Sequence, residues 1–239
     1  MKASLKHGEA LTARRVSPAA RPGYRSGHRP ANAGKTYPVE VLTPAEVESL
    51  LAACSRRSVA GLRNRALIAT LYRAGLRLGE TLALEPKDLD PAAGTITVLH
   101  GKGNRRRVVG IDPGGAEILT TWIERRASLD IAASAPLFCT LAGRPLQPSY
   151  VRTLLPRLAR AASVQKRVHP HGLRHTHAAE LAREGVPMPL IQQQLGHASL
   201  ATTDRYLRHL APTELVAAIQ KRTWHEGYAQ LDETSPSPR

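Results

Sequence analysis

One segment of this chain alternates apolar and polar residues in the way that β-strands do. Two short runs at 95–99 and 107–111 flank residues 101–104, Gly-Lys-Gly-Asn, and together they form the pattern of a β-hairpin. The other periodic segments have the apolar spacing of helices, and the chain has no internal repeat. The sequence therefore predicts a mainly α fold with a small antiparallel β-sheet, an α+β architecture.

The first predicted helix has a clear start signal. Thr43 can cap it and Pro44 suits its first turn, while Glu46 faces the positive end of the helix dipole. This helix should run toward Cys54, and the next should end at Gly75. We expect the later helices at residues 62–74, 78–84, 113–127, 148–162, 171–185, 187–195, 199–209 and 212–222.

The charge of the chain is large and unevenly distributed. The 239 residues include 34 Lys and Arg against 19 Asp and Glu, a formal charge of +15. Residues 1–37 contain eight of the basic residues and one acid, together with many Pro, Gly, Ala and Ser. We therefore predict a basic disordered tail at 1–37, a folded domain at 38–225 and a flexible C-terminal tail at 226–239. The tail is either a solvated leader or a non-specific arm on phosphates.

The same composition restricts the class of partner. An excess of +15 favours a polyanion, with nucleic acid first and an acidic membrane surface second. No apolar run reaches about 18 residues, so we expect no membrane span. The two cysteines, Cys54 and Cys139, are too few for a disulfide framework and fit a reducing cytosol.

Four local patterns contain side chains that could take part in a chemical reaction. They are the segment 74–80 with Arg77 and Glu80, the hairpin lysine Lys102, the segment 171–177 with His171 and Arg174, and Leu195-Gly196-His197 followed nine residues later by Tyr206. Each pattern alone is weak, because a single helical arginine is usually exposed and a single tyrosine usually packs in a core.

Together these residue types match the needs of a phosphodiester-cutting site without a metal ion. Guanidinium groups pair bidentately with the non-bridging oxygens on which negative charge develops in the transition state. A tyrosine hydroxyl can act as the nucleophile, and a lysine can protonate the leaving 5′ oxygen. Imidazoles can transfer protons and brace the phosphate.

The chain resembles the catalytic domain of the tyrosine recombinases, the phage integrase family, and is similar to the Xer recombinases. The resemblance runs from about residue 38 to about residue 225 and is strongest at 171–206, where His-x-x-Arg, Leu-Gly-His and Tyr occur in order. The upstream segment LYRAGLRLGE matches the first arginine box of the family. The resemblance implies the tyrosine recombinase catalytic-domain fold and a site-specific recombinase or integrase activity, which breaks and rejoins DNA strands.

The resemblance also implies roles for seven residues around one scissile phosphate. These are Arg77 and Arg174 as its clamp, Lys102 as the general acid for the 5′-OH, His171 on the base side, His197 as a phosphate ligand, Tyr206 as the nucleophile, and Glu80 as a supporting acid. For Glu80, a surface carboxylate is the rival interpretation. A 3′-phosphotyrosyl intermediate conserves the energy of the phosphodiester bond, so no ATP is required. The resemblance also implies that the reaction uses no metal and no cofactor.

The implied partner is a double-stranded DNA recombination site, bound by a homotetramer whose subunits can be monomers in solution. The resemblance is also compatible with an accessory recombinase or a directionality factor as a partner. No membrane partner is expected, and the implied location is cytoplasmic and nucleoid-associated.

Because about 37 residues precede the matching segment, we expect a short form without the family's N-terminal core-binding domain, in which the basic tail partly replaces that domain. A C-terminal helix at 212–222 would dock either within the chain or on a neighbouring protomer.

Two alternatives belong to other classes. Residues 187–208 resemble a helix-turn-helix, which would suit a non-catalytic DNA-binding protein, either a regulator or a decayed recombinase. Such a protein would not need the remote residues Arg77, Lys102 and His171. A zinc site at His171 and His175 is disfavoured, because the intervening residues are Gly-Leu-Arg and Arg174 would repel a dication.

Overall fold

The computed structural model describes residues 40–99, 106–196 and 220, and shows α-helices together with one small sheet. This confirms the predicted fold class. In these ranges the helices are α1 (Pro44–Ala52), α2 (Val59–Arg73), α3 (Leu78–Leu82), α4 (Pro113–Ala127), α5 (Pro148–Ala161), α6 (Pro170–Arg183) and α7 (Met188–Leu195), and the strands are β1 (Leu89–Asp90), β2 (Thr95–Val98) and β3 (Arg107–Gly110).

The sheet is antiparallel, with the strand order β1-β2-β3. Strands β2 and β3 pair with Thr95 opposite Gly110 and Val98 opposite Arg107, which confirms the two strands of the hairpin. The turn itself, with Lys102, lies outside the described residues. Strand β1 was not predicted, because two residues are too short to show an alternating pattern.

Side-chain caps set where the first helices begin. Thr43 Oγ1 accepts a hydrogen bond from the Glu46 backbone, and Glu46 Oε2 accepts one from the Thr43 backbone, so α1 has the expected start. Helix α2 begins three residues earlier than predicted because Ser58 Oγ accepts from the Gly61 N–H. It ends at Arg73, shortly before Gly75, which has a positive φ of 62°.

The later helices agree with prediction to within two residues at each end where the structure describes them. Helix α4 has the predicted bounds, α5 ends one residue early, and α6 is shifted toward the N-terminus. The helices expected at 199–209 and 212–222 lie outside the described residues, apart from Gln220, which is helical. Both predicted tails and residues 38–39 also lie outside the described residues.

Helix α2 is at the centre of the domain and packs against α4 on one side and α6 on another. The main core includes Leu67, Ile68 and Leu71 of α2 together with Trp122 of α4, all fully buried. The contact of α6 with α7 has a separate and much smaller apolar cluster. Helix α7 therefore depends more on polar contacts for its position than α2 does. Within the described ranges, each helix is too short or too polar to serve as a membrane span.

Candidate active site

Arg77 is the N-cap residue of the short helix α3, directly after the turn that ends α2. Its extended backbone conformation lets its own N–H donate to Glu80 Oε2 at 3.0 Å, because Glu80 is three residues later in the first turn. The guanidinium also reaches the same carboxylate, with Nη1 at 2.8 Å from Oε1. The spacing of Arg77 and Glu80 in the sequence thus becomes a local ion pair.

Glu80 is buried, with 4% of its side chain exposed, so the surface-carboxylate interpretation is wrong. Besides Arg77, it binds Arg107 of β3 through two hydrogen bonds of 3.0 and 2.8 Å, one to each oxygen. Burial raises the pKa of Glu80, but the hydrogen bonds and charges of Arg107 and Arg77 outweigh burial and hold this pKa below its usual range. The ionised carboxylate is therefore shared by two cations.

Arg174 lies on α6 and is 1% exposed. Its Nη1 donates to the carbonyl oxygen of Gly75, and its Nη2 donates to the carbonyl oxygen of Leu195. The positive φ of Gly75 directs the chain around the end of α2. Arg174 therefore fixes both the turn before Arg77 and the end of α7.

A cavity of about 520 Å³ brings three of the predicted residues together: Arg77, His171 and Arg174. We call it the active-site cavity. Among the described residues, no carboxylate lines it, so its walls favour an anion. Its full lining is Arg77, Leu78, Arg152, Pro156, Arg167, Val168, His169, Pro170, His171 and Arg174.

His171 lies in the first turn of α6 at the edge of this cavity, with its ring packed edge-on against His175 at 4.3 Å between centroids. Partial burial and the nearby charges of Arg174, His169 and Arg77 lower the pKa of His171 to about 4. The imidazole is therefore neutral near pH 7 and able to accept a proton. Burial likewise lowers the pKa of His169.

The end of α7 is attached to the same cluster. Gly196 has a positive φ of 63°, and its carbonyl oxygen accepts a hydrogen bond of 3.0 Å from Nη2 of Arg77. The Gln194 amide pairs with the backbone of Gly110 in β3 through two hydrogen bonds of 2.9 and 2.8 Å. The chain thus leaves α7 beside Arg77, one residue before His197.

The structure brings four of the seven predicted site residues together: Arg77, Glu80, His171 and Arg174. The other three, Lys102, His197 and Tyr206, lie outside the described residues.

Residues 40–212 of this chain match the model of the Phage integrase family. The chain belongs to the phage integrase family. It is 36% identical over 167 residues to tyrosine recombinase XerC of Halalkalibacterium halodurans, which covers 67% of this chain and 55% of that relative. It is 31% identical over 178 residues to tyrosine recombinase XerD of Staphylococcus saprophyticus, and this match covers 74% of this chain and 60% of that relative. The chain therefore spans little more than half the length of the curated relatives that it matches.

Solved structures of the phage integrase family agree in fold. A crystal structure of XerA recombinase matches with a TM-score of 0.70 and 31% identity, covering 83% of this chain and 70% of that chain. A post-cleavage complex of XerH site-specific recombinase with a palindromic difH substrate matches with a TM-score of 0.64 and 29% identity. This match covers 77% of this chain and 53% of that chain. These likenesses confirm the predicted tyrosine recombinase catalytic-domain fold.

The sequence did not point to Arg107 and Gln194, two residues that connect parts of the site. Arg107 binds Glu80, and Gln194 joins the end of α7 to β3. Arg107 is one of three consecutive arginines and looks like an ordinary polar strand position. Its partner Glu80 is 27 residues away, so only the fold shows the contact. For Gln194, the sequence offered one signal of a role at the site: this residue directly precedes the Leu-Gly-His motif.

Proposed function

We propose that this chain is a tyrosine site-specific recombinase that cleaves and rejoins double-stranded DNA through a 3′-phosphotyrosyl intermediate on Tyr206, without metal or ATP. The observation that carries the proposal is the convergence of Arg77, Arg174 and His171 on one cavity whose described walls contain no carboxylate. Membership of the phage integrase family and the likeness to Xer recombinases support the same conclusion.

The two arginines supply the electrostatic part of the reaction. Arg77 uses two of its guanidinium N–H groups on Glu80 and Gly196, so others remain to pair with the non-bridging oxygens of a phosphate. Arg174 is held by two backbone carbonyls and approaches the cavity from a different helix. Because both groups are fixed before DNA binds, they stabilise the transition state with little reorganisation.

The proton transfers fall to the other proposed residues. The Tyr206 oxygen attacks phosphorus and gives up its proton, with neutral His171 on the accepting side. The bond from phosphorus to the 5′ oxygen breaks, and Lys102 protonates that oxygen as it leaves. His197 braces the phosphate. One phosphate ester replaces another, so rejoining reverses the same steps without ATP.

The proposed partner is a DNA recombination site, as in the XerH complex with its difH substrate. We further propose a homotetramer on this site, a cytoplasmic and nucleoid-associated location, and an organisation with a basic tail at 1–37, a catalytic domain at 38–225 and a C-terminal tail at 226–239. The eight basic residues of the tail would then add contacts to DNA phosphates.

Replacing Tyr206 with Phe tests the mechanism, because Phe keeps the ring and removes only the nucleophilic oxygen. On a pool of nicked duplexes that lose the short fragment bearing the free 5′-OH after cleavage, the unmodified chain should form a covalent protein–DNA adduct, also in the presence of a chelator. The Tyr206→Phe variant should form none. Denaturing gel electrophoresis with end-labelled DNA measures this.

Tyr150→Phe is the matched control, because it removes a hydroxyl that binds Arg63 and Asn64 in the core. It should retain the adduct. DNA binding without any adduct in the unmodified chain would instead support the alternative of a non-catalytic DNA-binding protein.

A further inference from the structure

Arg107, on β3, contacts two parts of the site without lining the active-site cavity. Its two terminal nitrogens bind the two oxygens of Glu80 in a bidentate pair, at 3.0 and 2.8 Å. The arginine side chain is 13% exposed and the glutamate side chain 4% exposed, so the pair is largely shielded from water. Such a pair has a defined geometry that a single-point contact lacks.

The same guanidinium packs directly on Gly196, at the end of α7. A Cβ atom placed on Gly196 would lie 2.6 Å from Arg107 Nε and 2.8 Å from its Cζ, closer than real atoms approach. The positive φ of Gly196 disfavours other residues as well. A side chain at residue 196 would therefore force the Arg107 guanidinium out of its position against the end of α7.

Arg77 binds the same two residues that Arg107 contacts, but from the cavity side. It donates one hydrogen bond to Glu80 through Nη1 and one to the Gly196 carbonyl through Nη2. Because Arg107 occupies both oxygens of Glu80, Arg77 keeps only one side-chain bond to this carboxylate. Without Arg107, the buried carboxylate would lose two hydrogen bonds, and Arg77, the other cation bound to it, could turn toward both oxygens.

We infer that Arg107 is a positioning residue for the proposed cleavage reaction. It holds the Glu80 carboxylate and the Gly196 turn so that the Arg77 guanidinium faces the cavity. The inference rests on the proposed function, since it concerns the rate of that reaction. Arg107 acts on Arg77 through Glu80 and Gly196 and does not itself line the cavity.

The fold has a second link between β3 and α7, which makes the inference testable. The Gln194 amide pairs with both backbone groups of Gly110, and a small apolar cluster joins α7 to α6. These contacts do not involve Arg107. We therefore expect the domain to remain folded when Arg107 is replaced.

The test compares Arg107→Gln and Arg107→Lys in the full chain with Arg106→Gln. Arg106 is exposed and precedes β3, so its replacement removes the same charge without touching Glu80. Three quantities are measured: the single-turnover rate of adduct formation at saturating nicked DNA, the Kd for that DNA, and the thermal unfolding midpoint.

Both Arg107 variants should form adduct at least about 30-fold more slowly than Arg106→Gln, because Arg77 loses its fixed orientation. Their Kd for DNA should match that of Arg106→Gln within about threefold, since rate at saturation and affinity report different steps. The lysine variant should remain slow although it keeps the charge, because one ammonium cannot replace a bidentate guanidinium.

The double variant with Glu80→Gln adds a second criterion. If Arg107 acts through Glu80, the double variant should be no slower than the slower single variant. An Arg107→Gln rate within about threefold of the Arg106→Gln rate would overturn the inference and leave the proposed function intact. Unfolding of both Arg107 variants would also overturn it, since the role would then be structural. Absence of adduct in the unmodified chain would overturn the proposed function and this inference with it.

Discussion

Two cavities of similar volume have opposite charge, and one contains Arg77 while the other contains Arg73, four residues earlier. The active-site cavity, about 520 Å³, is lined by arginines and histidines without a carboxylate among the described residues. The other, about 550 Å³, which we call the acidic cavity, has four carboxylates in its walls. Its charged and phenolic lining residues are Glu48, Tyr72, Arg73, Asp112, Glu180, Arg183 and Glu184.

Arg73 and Tyr72 of the acidic cavity are already bound to carboxylates of the protein. Arg73 Nε binds Asp112 at 2.7 Å, and the Tyr72 hydroxyl donates to Glu180 at 2.5 Å. Burial, together with the hydrogen bond to Glu180, raises the pKa of Tyr72. Arg77, four residues after Arg73, must instead share Glu80 with Arg107. An arginine with a carboxylate of its own serves structure, whereas two arginines on one carboxylate leave positive charge for an anion.

The largest difference between the cavities should appear in catalysis. Arg174→Lys should lower the single-turnover rate of adduct formation by about 10²–10³-fold, because a lysine cannot reproduce a fixed, planar guanidinium at the developing charge. Arg73→Lys, the same change at the acidic cavity, should lower the rate by no more than about threefold. Similar losses in the two variants would show that the charge asymmetry does not determine activity.

A smaller effect should appear in the pH dependence of stability, at a histidine between the two cavities. His177 packs against Gly75, whose carbonyl binds Arg174, and it lies near Arg73 and Asp112 of the acidic cavity. Burial first, and then the charges of Arg174 and Arg73, lower the pKa of His177 to about 4.

The sign of the pH effect follows from this lowered pKa. The unfolded chain binds the proton at a higher pH than the folded chain, so the free energy of unfolding falls as pH drops from about 6.5 toward 4. By pH 5 this residue should reduce that free energy by about 2 kcal/mol. Urea titrations of His177→Phe at pH 7 and pH 5 should show a correspondingly smaller loss than the unmodified chain. Equal losses would contradict the assignment.

The smallest expected effect concerns DNA affinity. Arg152 and Glu48 are both exposed, and they line the active-site cavity and the acidic cavity respectively. Arg152→Gln should weaken DNA binding a few-fold and reduce the slope of log Kd against log salt by about 1, as expected for one lost phosphate contact. Glu48→Gln should change Kd by less than about twofold, although it also changes the net charge by one. Fluorescence anisotropy across a salt series measures both.

Much of the fold was predictable because its signals are local. The Thr43 cap, the alternating strands and the apolar helix spacing each depend on residues within one turn or one hairpin. The start of α2 was placed three residues late because the prediction did not take Ser58 as the N-cap. Strand β1 was missed because it exists only through its pairing with β2.

Short spacings along the chain are enough to specify the helical architecture, the family resemblance and the local pair of Arg77 and Glu80. The packed fold is needed to bring Arg107 to Glu80, to bring Arg174 to carbonyls 99 and 21 residues away, and to give the two cavities different charges. A charged side chain binds whichever partner the packed helices and strands bring within about 3 Å. Spacing along the chain does not specify that partner, and this is why the positioning contacts emerged only from the fold.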